Sequence, residues 1–136
     1  MLNKKSHMKQ FHNRTTKEGK LVWDVARLIR LAQDLPTKTV PLARIREFEE
    51  VYWFDDQYRP TCRAVVSHMQ RIQGANLSSP IILSADGRVM DGMHRVAKAW
   101  LLGLTDIQAV QFLQDPEPDQ IVSANPGISG DAKAII

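Results

Sequence analysis

The chain has 136 residues, 43% of them hydrophobic and 24% charged, which suits one globular domain with one core and excludes a wholly disordered polypeptide. No apolar run approaches the roughly 20 residues that cross a bilayer, and the start is basic and polar without the apolar stretch of a signal peptide, so a cytoplasmic protein with no membrane contact is expected. The formal charge of +3 is uneven, because residues 1–30 carry eight Lys/Arg against Glu18 and Asp24, a net +6 that leaves the rest of the chain at −3.

In chain order, residues 1–20 read as a basic, flexible segment. Clustered Lys/Arg release counterions from phosphates, so nucleic acid is one partner this segment suits; a solvated tail is the plainer reading. Leu21, Val25, Leu28, Ile29 and Ala32 then recur at helical spacing and predict an amphipathic helix over Leu21–Leu35, ended by Pro36. Lys38–Pro41 is a short strand candidate, Leu42–Glu47 a turn or one helical turn, and Glu47–Pro60 an irregular loop rich in acids and aromatics. Thr61 is a plausible N-cap for a helix that carries Val65, Met69 and Ile72 on one face and stops at Gly74.

Pro80–Ser84 predicts an apolar strand, Ala85-Asp86-Gly87 a turn, and Arg88–Met90 the hairpin partner. A last helix is expected over Met93–Leu102, with Val96, Ala99 and Trp100 on one side and Gly103 at its stop. Asp106–Leu113 is the closing strand, and residues 114–136 read as a flexible tail. The folded domain thus spans 21–113. Cys62, the only cysteine, rules out an intrachain disulfide and suits a reducing compartment. It reads as an ordinary structural cysteine more readily than as a nucleophile.

The chemistry concentrates where the strand Arg88–Met90 turns into a helix through Asp91-Gly92-Met93-His94-Arg95. A helix start leaves backbone N–H groups unpaired and partly positive, and a glycine lets an anion approach closely, which outlines a phosphate site. His94 and Arg95 add donors in the first helical turn, and Lys98 extends the positive rim. Asp91 serves there either as a helix cap or through a bridging Mg²⁺. The bland alternative pairs Asp91 with Arg95 at i,i+4 and leaves His94 an ordinary exposed residue.

The run from Pro80-Ile81-Ile82-Leu83 through Asp91-Gly92-Met93-His94-Arg95 to Ala99, with Val40-Pro41-Leu42 and Ile45 upstream, resembles the ParB/sulfiredoxin superfamily over about residues 38–113. The resemblance implies an α+β fold, a small mixed sheet packed with helices, here with an extra N-terminal helix. In ParB-type domains the equivalent Gly-Glu-Arg-Arg turn binds nucleotide triphosphate, and in sulfiredoxins a Gly-Cys-His-Arg turn supplies a reactive cysteine. Free serine kinases of this fold carry Asp-Gly-His-His-Arg, to which the present turn is most similar. Met93 stands where sulfiredoxins have cysteine, and a thioether cannot replace the thiolate, so sulfiredoxin activity is excluded. Nor is a complete chromosome-partitioning protein expected, with so few residues after the closing strand.

The kinase resemblance implies a catalytic acid in the loop before the second helix, and Glu49, Glu50, Asp55 and Asp56 are the candidates, as base or as Mg²⁺ holder. In the same loop Tyr52, Trp53, Phe54 and Tyr58 suit base stacking or core packing, with core favoured for Trp53 and Phe54. Arg63, His68 and Arg71 lie on or beside the second helix and share the cleft if they face it; His68 and Arg71, three apart, share a face. The expected function is binding of a nucleotide (ATP, ADP or CTP with Mg²⁺) or a phosphorylated small molecule, with phosphoryl transfer or hydrolysis as the reaction. A non-catalytic nucleotide sensor or nucleic-acid adaptor is the alternative, and a nuclease is less favoured. A homo-oligomer fits as well as a monomer.

Overall fold

The structure, a computed structural model, describes residues 9–123. Residues 9–33 with 116–123 form one compact unit and residues 34–115 another.

In the first unit, β1 (Phe11–Thr16) and β2 (Gly19–Asp24) make an antiparallel hairpin, and β7 (Gln120–Ser123) pairs antiparallel with the other edge of β2. Two expectations are thereby corrected: residues 11–20 are a strand, a turn and the start of a second strand where a flexible segment was expected, and the predicted helix shrinks to α1 (Val25–Leu31). Leu21 fits the helical spacing, but Val22 and Trp23, each 1% exposed, are buried from a strand. The signal for β1 is hidden because its inward-alternating positions, His12, Arg14 and Thr16, are polar.

The segment 116–119 is likewise held in place. Trp23 Nε1 donates to the Pro116 carbonyl at 2.9 Å, the Asp24 amide donates to Asp119 Oδ2 at 2.7 Å, and Arg27 pairs with the same carboxylate at 3.2 Å. Asp24 also caps α1 by accepting from the Ala26 amide at 2.9 Å. Of the expected tail, residues 124–136 lie outside the described residues, as do Lys4 and Lys5 of the basic start.

The second unit is α+β, as expected. It runs β3 (Lys38–Pro41), two 3-10 turns (Leu42–Arg44 and Arg46–Glu49), an irregular loop, α2 (Cys62–Gly74), β4 (Ile81–Leu83), β5 (Val89–Asp91), α3 (Met93–Leu101) and β6 (Asp106–Gln111). The sheet order is β3-β6-β4-β5, with β4 parallel to β6 and the other pairs antiparallel. The parallel pair needs a crossover, and α3 supplies it. Ile81, Val89, Val96, Ala99 and Ala109, all fully buried, make the centre of the core.

Thr61 caps α2 as its sequence suggests, its hydroxyl accepting from the Ala64 amide at 3.1 Å. The buried face is a correction. Ala64 and His68 point inward, while Val65 and Met69 are 49% and 41% exposed. On α3, Val96 and Ala99 are buried as predicted, but Trp100 is half-exposed and stacks on Phe48 with centroids 4.9 Å apart.

The turn into α3 depends on Gly92, at φ +115. A Cβ there would lie 2.6 Å from Ile81 Cγ2 and 2.9 Å from Ile81 Cβ, inside a fully buried neighbour. Glycine therefore lets α3 start against β4. Gly87, at φ +88, has open space around the same position. Gly92→Ala is expected to cost about 3 kcal/mol by adding overpacking to backbone strain, against about 1 kcal/mol of strain alone for Gly87→Ala. Urea denaturation of the two variants checks this, and equal costs would contradict the close approach at Ile81.

Candidate functional site

The turn at Asp91–Arg95 is built largely from its own side chains. Arg95 Nη2 donates to Asp91 Oδ2 at 2.8 Å, and Nη1 donates to the carbonyls of Ser79 and Pro80 at 2.9 and 2.8 Å. Lys98 Nζ donates to the carbonyls of Gln73 and Ala75 at 3.0 and 2.8 Å, closing the C-terminal end of α2. Two of the three cations expected to rim a phosphate therefore hold neighbouring backbone. The cap of α3 is Gly92, with no side-chain cap bond, so the expectation that Asp91 caps the helix is corrected. Paired with Arg95, Asp91 is also a poor Mg²⁺ ligand, and among the described residues no group of three or more His, Cys, Asp and Glu could hold a metal.

His94 differs from this pattern. Its Nε2 lies 2.7 Å from His68 Nδ1, and the other nitrogen of His68 lies 3.2 Å from the Tyr58 hydroxyl. The imidazole centroids are 5.0 Å apart and the planes 16° apart; with so short an N···N contact the rings must lie edge to edge. Trp53 stacks on both, at 4.6 Å and 4.7 Å. The loop before α2, α2 itself and α3 thus meet at one flat hydrogen-bonded pair. His68 is 5% exposed, which explains the face that α2 buries.

The electrostatics of the pair are one-sided. Burial pushes the His94 imidazole down to about 4, and the charges of His68, Arg71 and Arg95 push the same way. Burial and then Arg71 lower His68. His94 is neutral at physiological pH, and His68 is shifted in the same direction. Arg71 is exposed and holds no hydrogen bond or ion pair among the described residues, and the same is true of Arg63, for which no contact with the pair appears.

Beside this corner lies a cavity of about 610 Å³ between the loop and the first turns of α3, with Met93 and Ala97 on the helix side. Trp53 is shared by the cavity and the histidine pair. Of the four acidic candidates, Glu50, Asp55 and Asp56 border the cavity and Glu49 does not. Glu50 is held by Arg88 in a two-pronged ion pair at 3.0 and 2.7 Å, which lowers its pKa. Asp55 Oδ1 accepts from the Gln57 and Tyr58 amides at 2.8 and 2.7 Å and shapes the loop. Asp56 holds no partner among the described residues.

Glu47 was not among the residues singled out from the sequence. It is 2% exposed and borders the cavity; its Oε2 accepts from the Val89 amide at 2.7 Å and pairs with Arg88 Nε at 3.2 Å. Three glutamates fall within Glu47–Glu50, and nothing in their order tells which one the 3-10 turn directs inward. Tyr52 nearby has its phenol pushed up to about 12 by burial and by the charges of Glu47 and Asp91. Phe54 lies edge-on to His68 with centroids 5.3 Å apart, so it packs the pair, as does Tyr58.

In the other unit, Arg14 lies over the Trp23 ring, 5.4 Å from its centroid, which takes that cation out of the basic surface expected to meet nucleic acid. Among the described residues no helix is long and apolar enough to cross a membrane. Compared with family models, curated proteins and solved structures, the chain matches none.

The histidine pair makes a pH prediction. The unfolded chain protonates His94 near pH 6.5 and the folded chain only near pH 4. Stability is therefore full above pH 6.5 and lost as pH falls toward 4. Urea midpoints across this window are expected to report a loss of roughly 2 kcal/mol, with a shallower fall in His94→Gln. Equal slopes in the two proteins would contradict a neutral buried pair.

Proposed function

We propose that the chain is a ParB/sulfiredoxin-like protein that binds a nucleotide or phosphorylated small molecule at the corner formed by Gly92, His94, His68 and Arg71. One observation supports this above the others: the guanidinium groups of Arg71 and Arg95 both press on His94, and the Asp91 carboxylate of the same turn is already taken by Arg95. A corner with a helix start, two imidazoles and an uncommitted guanidinium lacks an anion. A phosphate there gains Arg71 and the first-turn amides as partners, and its charge favours proton uptake by His94.

The roles of the turn residues shift accordingly. Gly92, Met93 and His94 offer backbone amides, His94 also a side-chain donor, while Arg95, Asp91 and Lys98 keep the turn in shape. For phosphoryl transfer or hydrolysis, Asp56 is the candidate among the four acids, because it alone of those on the cavity lining has no structural duty among the described residues. As a base it would take the proton of an attacking hydroxyl. Mg²⁺ commonly uses one or two carboxylates together with substrate phosphates, so Asp56 with a bound polyphosphate suits it better than Asp91 does. Without turnover the same corner serves as a nucleotide sensor.

Calorimetric titration with ATP, ADP, CTP and inorganic tripolyphosphate, each with Mg²⁺, tests the reading. Binding is expected, weakened about tenfold in Arg71→Ala, since a charge-assisted hydrogen bond is lost. Product analysis then separates enzyme from sensor, with Asp56→Asn expected to abolish turnover and keep binding. Failure of all four ligands to bind would sink the proposal.

A further inference from the structure

The bond between the two imidazoles is one link of a longer chain. Tyr58 Oη lies 3.2 Å from His68 Nε2, and His68 Nδ1 lies 2.7 Å from His94 Nε2. The remaining nitrogen of His94, Nδ1, holds no hydrogen bond among the described residues and is not sealed off by the packing, whereas His68 is 5% exposed. The phenol end of the chain is clamped. The Tyr58 amide donates to Asp55 Oδ1 at 2.7 Å, the Asp55 amide donates to the Tyr58 carbonyl at 3.0 Å, and the Tyr58 ring packs on Phe54 with centroids 5.3 Å apart.

Two uncharged imidazoles this close must share one proton between them. With none, two lone pairs would face each other at 2.7 Å; with two, the hydrogens would collide. Each uncharged ring carries a single N–H, so the proton order runs along the whole chain in one of two directions. If Tyr58 donates to His68 Nε2, then His68 donates from Nδ1 to His94 Nε2, and the His94 proton sits on Nδ1. In the reverse order His94 donates from Nε2, His68 donates to the phenol oxygen, and His94 Nδ1 is a bare lone pair. A phenol gives up a proton more readily than an uncharged imidazole, and an imidazole nitrogen accepts one more readily than a phenol oxygen, which favours the first direction. Histidine free in water prefers its proton on Nε2, so without the phenol the second direction regains the advantage.

We infer that Tyr58 is a positioning residue: by donating to His68 it sets the proton order of the chain and holds His94 with its proton on Nδ1, as a donor for the bound anion. The use of that donor rests on the phosphate reading above and deepens it, because the hydroxyl acts through His68 without touching the ligand. A phosphate in the corner then meets N–H donors from the first turn of α3, from Arg71 and from His94, where the reverse order would set a lone pair against it. The other groups around the pair are Arg71 and Arg95, which act on His94 through charge, and Trp53 and Phe54, which pack on the rings. None of them competes with the Tyr58 hydroxyl for His68 Nε2.

Long-range proton–nitrogen NMR of the full chain at mildly alkaline pH, where both rings are uncharged, reads which nitrogen of each holds the proton. Both rings are expected in the Nδ1–H form. Tyr58→Phe keeps the aromatic ring and removes only the hydroxyl; it is expected to move both toward Nε2–H, a change that a merely packing role for Tyr58 would not produce. Calorimetry with inorganic tripolyphosphate and Mg²⁺ is expected to show Tyr58→Phe binding about fivefold more weakly, the worth of one hydrogen bond, although the ligand does not touch the phenol. Should that variant not fold, the spectrum of the unaltered protein decides alone. His94 carrying its proton on Nε2 in the unaltered protein, tautomers unmoved in Tyr58→Phe, or equal affinity of the two proteins overturns the inference. Binding of tripolyphosphate by neither protein defeats the phosphate reading instead, and the tautomers still decide the direction of the chain.

Discussion

A hydrogen bond between two imidazoles, His68 and His94, organises the second unit of this protein. It joins α2 to α3, and the indole of Trp53 lies flat on both rings, so the loop before α2 is drawn onto the same spot. Such an arrangement is stable only if the rings stay neutral, because a charged imidazole would lose its hydration without a carboxylate to replace it. The positive surroundings, Arg71 and Arg95, enforce that neutrality. The packing of the helices and the electrostatics of the site therefore have one origin.

From this contact follows a separation of charge across Trp53. On the imidazole side, the charges felt by His94 are positive and the helix start has no side-chain cap. On the cavity side, four carboxylates, Glu47, Glu50, Asp55 and Asp56, line the space with one arginine, Arg59, among the described residues. In water such opposed patches would be heavily screened; beside a partly enclosed cavity with apolar walls they are screened less.

The cations that look most functional in the sequence are those the fold uses for itself. Arg95 bridges Asp91 and the carbonyls of Ser79 and Pro80, and Lys98 closes the end of α2. Both lie on α3 and donate to carbonyls at the ends of neighbouring segments, those of Pro80 and Ala75 in half-buried residues. Arg71, on the exposed side of α2, has no such call on it. Position on a motif and availability for a ligand are separate properties, and only hydrogen-bond accounting distinguishes them.

Much of the second unit was legible in the residues alone. Lys38–Pro41, Thr61 as a cap, the strand before Ser84, the turn at Ala85-Asp86-Gly87 and the helix from Met93 all carry local signals, namely apolar runs, cap chemistry and glycine. The phase of α2 was not, because a polar residue, His68, is the one buried, and its partner is 26 positions away. The hairpin of β1 and β2 was hidden for a similar reason: the inward residues of β1 are polar, and helical spacing over Leu21–Ala32 imitated a single longer helix. Which glutamate of Glu47–Glu50 turns inward, and which arginine stays free, depends on contacts between segments far apart in the chain. Local pattern determines what each segment can become; only the tertiary structure decides which polar groups find partners and which remain for a ligand.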